Sequence, residues 1–230
     1  MNRIDTNPTA AALPVRLIFI ASLLMLIGSF LGVWAPVMGW QILEDAMGPM
    51  GLRGFRYFTI LSNAAAGPLA AAMAVICIAL RVGRISSIPK WLELCWHLDC
   101  VALTLTFVTT AVFLCPQRVA MGDSYFLLFS GVNFFNHFLT PMLSIAVMDL
   151  LDRQRRLPKS WILLGVVPVA VYAAVYLYNV VWMKSWPDFY GFTFGGRYQV
   201  VPMVVLVVLG ASCGMSALHI CLHNRHIGES

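Results

Sequence analysis

Apolar residues gather along this chain into six long runs, and the charged residues fall mainly between the runs. A helix needs about 20 apolar residues to cross a hydrocarbon core of about 30 Å. Five runs approach that length by themselves, whereas the third does so only by including His97 and Asp99. The pattern predicts six transmembrane helices, at about residues 15–36, 55–80, 92–115, 125–149, 161–183 and 198–222.

Composition supports the same interpretation. Of the 230 residues, 60% are hydrophobic and 11% are charged, whereas a soluble domain carries about 25% charged residues. We therefore predict an all-α polytopic membrane protein with a single domain over residues 1–230. The expected location is the cell membrane, which is the inner membrane if the chain is bacterial.

The net charge of +5 does not indicate nucleic-acid binding, because the basic residues lie in short loops and form no stripe with aromatic residues. Lys and Arg divide ten to five between the two sides of the predicted bundle. The larger set is Arg3, Arg16, Arg81, Arg84, Lys90, Arg153, Arg155, Arg156, Lys159 and Arg225; the smaller is Arg53, Arg56, Arg118, Lys184 and Arg197. The positive-inside rule then places the larger set and both termini in the cytoplasm.

Two of the predicted helices carry polar stripes at helical spacing. The stripes are Arg56, Thr59 and Asn63 in the second helix, and Asn133, Asn136, His137 and Thr140 in the fourth. Polar groups inside a membrane are costly and need partners, so they are candidates for function. We expect the stripes to face a polar pocket that opens outward or sideways. Pro141 predicts a kink just after the second stripe.

His137 is the strongest single candidate, and interhelical hydrogen bonding is its competing interpretation. Asp99 has two interpretations as well. It lies at a depth compatible with orienting the imidazole of His137, as a carboxylate does in hydrolase triads. The slightly favoured alternative pairs Asp99 with His97 or with a cytoplasmic Arg.

His219 and His223 are spaced i, i+4 near the end of the last predicted helix. Such a pair can bind a metal ion, but further ligands are needed and none is evident. Solvation at the membrane interface is the preferred interpretation, and no metal or other cofactor is predicted. The six Cys residues show no CxxC spacing and predict no disulfide framework.

The segment from Arg56 to Asn63, RYFTILSN, and the segment from Asn136 to Pro141, NHFLTP, resemble motifs of a known family. The bacterial Pr6Pr membrane proteins have a Phe-Thr-x-x-Ser-Asn segment followed by a His-x-x-x-Pro. They in turn resemble the animal androgen-induced-gene family of six-pass intramembrane threonine hydrolases. The likeness covers most of the chain from Arg53 to Val200.

The resemblance implies a hydrolase of lipid esters in which Thr59 is the nucleophile and His137 the general base. A Thr hydroxyl needs such a base to become nucleophilic. Asn63, Asn133 or Asn136 would donate to the developing oxyanion, and Arg56 would hold a substrate carboxylate.

Two other classes of function compete with hydrolysis. The same pocket would serve a non-catalytic protein that binds membrane lipids or a protein partner. A small-molecule carrier is the third class, and the absence of an evident repeat or discontinuous helix disfavours it.

Overall fold

The computed structural model describes residues 8–40, 49–151 and 155–227, and in those ranges the chain is helical without strands. The helices are α1 Pro8–Met38, α2 Phe58–Arg81, α3 Lys90–Ala120, α4 at 132–151, α5 Trp161–Trp182 and α6 Val201–Ile227. The all-α prediction is confirmed. Arg3 and Arg153, which contribute to the predicted orientation, lie outside the described residues.

Five of these helices are long and apolar enough to cross a membrane, namely α1, α2, α3, α5 and α6. Helix α4 differs from the prediction, because it begins at Val132 instead of near Tyr125. Residues Tyr125–Phe129 form a separate 3₁₀ turn, and Gly131 takes a φ of 56°. That left-handed conformation suits glycine and interrupts the run of apolar residues.

A wide turn of π-helix precedes each of two prolines. Residues Phe135–Leu139 form one such turn before Pro141, and Thr110–Leu114 form another before Pro116. Proline has no N–H to continue the α-helical ladder, and its ring collides with the carbonyl one turn earlier. The widened turn accommodates that defect, and it contains His137.

The six helices pack into a bundle in which α1 lies along α2, while α3 contacts α2, α4, α5 and α6. We call the end with the α2–α3 and α4–α5 connections the lower half, and the opposite end the upper half. Trp96, Met73, Met148 and Ile220 belong to one buried apolar cluster in the lower half. The indole of Trp96 also donates to the carbonyl of Ser144 at 3.3 Å. The upper half is less completely filled.

Candidate functional site: an apolar cavity in the upper half

A cavity of about 400 Å³ lies between α3, α5 and α6 in the upper half of the bundle. The beginning of α2 and residues 190–194 of the α5–α6 connection complete its wall. Its surface is almost entirely apolar, which differs from the polar pocket that the sequence predicts. Of the polar stripes of α2 and α4, Thr59 lines the cavity, whereas Asn63, Asn136 and His137 do not.

The cavity opens on the outer surface of the bundle. Val112 of α3 and Met203 and Val207 of α6 belong to its wall, and their exposed fractions are 72%, 60% and 65%. Exposed aliphatic side chains on an apolar helix are suited to contact with lipid chains. The opening therefore lies on the side of the bundle and between two helices.

The connection between α5 and α6 forms the roof of the cavity, and Asp188 holds it in shape. Its carboxylate accepts hydrogen bonds from the Tyr176 hydroxyl at 2.6 Å and from the backbone N–H groups of Phe192 and Thr193 at 2.9 and 2.7 Å. Burial acts to raise the pKa of Asp188, but the hydrogen bonds outweigh burial and lower it. Asp188 is thus ionised at neutral pH and anchors the roof.

Tyr190 joins this roof to the start of α2. The first N–H groups of a helix lack partners within it, and the N–H of Phe58 donates to the Tyr190 hydroxyl at 2.9 Å. Burial raises the pKa of Tyr190 to about 12, although hydrogen bonds that include one from the Thr59 hydroxyl act to lower it. Thr59 is half-buried on the cavity wall, so its hydroxyl lies beside a protonated Tyr190.

Asn63 and Asn136 link α2, α4 and α1. The Asn63 amide donates to the carbonyls of Thr59 at 2.8 Å and of Asn136 at 3.2 Å. The Asn136 amide in turn donates to the carbonyl of Gly32 at 2.7 Å. Both side chains are buried, and these contacts give them the packing role that amides often have between membrane helices.

His137 is buried in the π turn of α4, one residue after Asn136. Its Nδ1 lies 2.7 Å from the carbonyl oxygen of Leu128. Because a carbonyl only accepts, Nδ1 carries the proton in the neutral ring, and Nε2 keeps the lone pair of a base. His137 does not line the cavity that Thr59 lines. The Asn63 amide links the backbone of Thr59 to that of Asn136, which precedes His137, and no hydrogen bond of the described residues joins Thr59 to His137 directly.

The remaining predicted site residues lie in other surroundings. Arg56 borders a separate surface pocket, with its guanidinium 5.7 Å from the ring of Trp186. Asn133 is half-buried on α4. Asp99 is buried, and its Oδ2 has no hydrogen-bond partner among the described residues. No hydrogen bond or ion pair of the described residues joins Asp99 to His137, to His97 or to an Arg side chain.

The lower half contains a buried polar cluster that the sequence did not reveal. His219 Nδ1 lies 2.5 Å from Asp149 Oδ2, and its Nε2 lies 2.9 Å from the Thr104 hydroxyl. The exposed fractions of these residues are 3%, 2% and 9%. Carboxylate, imidazole and hydroxyl follow the order of a hydrolase triad, but none of the three lines the cavity. The cluster instead joins α3, α4 and α6.

The predicted solvation of His219 and His223 is wrong. His223 is 1% exposed, and its two ring nitrogens lie 2.7 and 2.8 Å from the carbonyl oxygens of Met148 and Arg155. These contacts attach α6 to the end of α4 and to the connection that follows it. Among the described residues no group of three or more His, Cys, Asp or Glu side chains is placed to hold a metal ion. For the cluster of Asp149 and His219 the sequence did contain one signal, because Asp149 is an acidic residue at the end of an apolar run.

No family model, curated protein or solved structure matches this chain. The resemblance to the Pr6Pr proteins remains a prediction from the two motifs.

Proposed function

We propose that this is a six-pass membrane protein that binds the acyl chain of a membrane lipid in the cavity of the upper half. The observation that carries the proposal is the apolar cavity itself, which opens between α3 and α6 on a surface suited to lipid contact. Its volume lies within the range of about 300–1,000 Å³ typical of small-molecule sites. An acyl chain that enters such a site exchanges its contacts with other lipids for contacts with apolar side chains, and no polar group has to be desolvated.

The proposal includes α4 as the sixth span. Its polar residues face the bundle, where Asn136 and Asp149 have partners on α1 and α6. Polar side chains within a bilayer are tolerated where they face the interior of a bundle and pair with other helices. Six spans place both termini on the same side of the membrane. The ten-to-five division of basic residues favours the cytoplasmic side of a cell membrane.

The first test is direct labelling with a photoreactive fatty acid in detergent micelles. Ala211→Trp places a large ring on the cavity wall, and Leu218→Trp places the same ring on an exposed position of α6. Each buried methylene contributes about 0.8 kcal/mol, so excluding two methylenes weakens binding about tenfold. We expect that loss in Ala211→Trp and wild-type binding in Leu218→Trp.

Mass spectrometry of the labelled peptides locates the probe. Labels on the cavity segments of α3 and α6 agree with the proposal. Equal binding by both Trp variants, or labels spread evenly over all lipid-facing helices, would show that the cavity is not the site.

Hydrolysis of a lipid ester is the second candidate, and the position of the Thr59 hydroxyl on the cavity wall favours it. Thr59 Oγ1 would bond to the ester carbonyl carbon while His137 Nε2 takes its proton. The alcohol would then leave with that proton, and water would release the fatty acid from Thr59. This sequence requires the imidazole of His137 to reach Thr59 when substrate is bound.

We expect Thr59→Ala to abolish fatty-acid release from an ester substrate and His137→Ala to slow it by about 10²–10⁴-fold. Thr109→Ala is the matched control, because Thr109 also lines the cavity. Release is measured by chromatography, and labelling by the photoreactive fatty acid is measured in parallel. Undiminished release by Thr59→Ala would exclude it as the nucleophile, while retained labelling would leave the binding proposal intact.

A further inference from the structure

A second pocket, of about 260 Å³, lies on the upper surface outside the acyl cavity. Arg53, Arg56 and Tyr57 form one side, and Pro187 and Phe189 form part of the other. Tyr57 and Phe58 are adjacent in sequence, yet the first faces this pocket and the second faces the cavity. Phe189 likewise faces this pocket, whereas the adjacent Tyr190 faces the cavity. Two aromatic pairs thus separate the two spaces.

The local backbone aligns the two arginines. Gly51–Arg56 is a 3₁₀ helix, which has three residues per turn, so side chains at i and i+3 lie directly above each other. Arg53 and Arg56 have that spacing, and both line the pocket. Guanidinium groups on one side of a short helix repel each other, and an anion between them relieves the repulsion.

Contacts with uncharged groups of the described residues hold Arg56 in place. Its guanidinium stacks on Trp186 at 5.7 Å, and its carbonyl accepts from the Tyr172 hydroxyl at 2.6 Å. Ion pairs among the described residues include Arg118–Asp123, Arg155–Glu93 and His219–Asp149. Neither arginine of the pocket takes part in them, and no carboxylate of the described chain lines the pocket.

We propose that this second pocket binds the phosphate of an anionic lipid headgroup through Arg53 and Arg56. Two guanidinium groups offer several donors in planar forks that match phosphate oxygens. The other walls are apolar or aromatic, as suits a headgroup at the membrane interface. Leu52, beside Arg53, is 82% exposed and extends the apolar surface around the pocket. The site is distinct from the acyl cavity and does not depend on hydrolysis.

The test compares phosphatidic acid with diacylglycerol of the same acyl chains, which differ only in the phosphate. Affinity is measured from the rise in thermal unfolding midpoint of the full chain in neutral detergent. We expect phosphatidic acid to raise the midpoint of the wild type and diacylglycerol to have little effect. Arg53→Gln with Arg56→Gln should lose at least about tenfold in affinity for phosphatidic acid, because charge-assisted hydrogen bonds contribute more than neutral ones.

Two variants separate the pocket from net charge and from folding. Lys184→Gln with Arg197→Gln removes the same charge from exposed positions outside the pocket, and we expect wild-type affinity. Arg53→Lys with Arg56→Lys keeps the charge but loses the planar forks, and we expect an intermediate affinity. An equal loss in the Lys184/Arg197 variant would overturn the proposal in favour of general surface charge.

Two further measurements test whether the anion is a lipid headgroup and whether its binding is independent of the acyl cavity. Inorganic phosphate should leave the midpoint unchanged at concentrations where phosphatidic acid raises it. An equal rise with inorganic phosphate would overturn the headgroup assignment. Ala211→Trp should keep the response to phosphatidic acid, so failure of the acyl-cavity proposal and failure of this one give different patterns.

Discussion

Replacing His219 with alanine will lower the free energy of unfolding by about 3–5 kcal/mol, the range for breaking a buried ion pair from one side. The imidazole of His219 is 2.5 Å from the Asp149 carboxylate, and both side chains are almost wholly buried. Without His219 the carboxylate loses its partner in surroundings that exclude water. The Thr104 hydroxyl loses its contact as well. The measurement is reversible unfolding in mixed micelles.

The size of this effect depends on the pair, not on α6 alone. Leu218 precedes His219 and is 55% exposed, so Leu218→Ala should change stability by less than about 0.5 kcal/mol. Asp149→Asn keeps a hydrogen-bonding oxygen, and we expect a smaller loss than from His219→Ala. A double-mutant cycle of Asp149 and His219 should give a coupling energy within about 0.5–3 kcal/mol. A coupling energy of zero would contradict the role that we assign to the pair.

Replacing Gly32 with alanine will destabilise the protein by about 1–3 kcal/mol, the range for overpacking a well-filled interior. A methyl group at Gly32 would collide with the Asn136 side chain. That amide cannot simply move away, because it donates to the Gly32 carbonyl at 2.7 Å and its residue is 2% exposed. The substitution therefore separates α1 from α4 at the level of His137.

A glycine in open surroundings is the control for this prediction. A methyl group added at Gly210 of α6 would approach no other helix within 4 Å, so Gly210→Ala should stabilise the protein by up to about 1 kcal/mol through helix propensity. The two Gly→Ala changes should thus have opposite signs. In an Asn136→Ala background the cost of Gly32→Ala should fall, because the obstructing amide is gone. An unchanged cost would show that the destabilisation by Gly32→Ala does not come from the collision with Asn136.

The polar stripes of α2 and α4 show what a sequence pattern predicts and what it does not predict. Spacing predicts that Asn63 and Asn136 face the interior of the bundle, and both are buried there. It does not predict that Asn63 bonds to the backbone of both α2 and α4. Contacts of that kind depend on the rotation of each helix about its axis. The π turn at Phe135–Leu139 changes that rotation within α4.

Asp149 and His219 form a contact that the sequence pattern did not predict. Each lies near the end of a predicted helix, where a polar residue usually meets water. His219 is spaced i, i+4 from His223, and nothing in the sequence pairs it with Asp149. Their burial follows from the packing of α4 and α6 against each other and against α3. The cavity arises in the same manner, because α3, α5 and α6 leave space between side chains that are nearly all apolar. No periodicity distinguishes an apolar residue in a filled core from one beside a void.

The sequence by itself determined an all-helical protein with several helices suited to a membrane, because long uncharged runs satisfy their backbone polar groups only as helices. It also singled out Thr59 and His137. Only the tertiary structure decided that Thr59 lies on an apolar cavity, that His137 bonds to Leu128, and that His219 pairs with Asp149. The reason is physical: hydropathy acts along each helix separately, whereas cavities and buried pairs depend on how the helices are placed relative to one another.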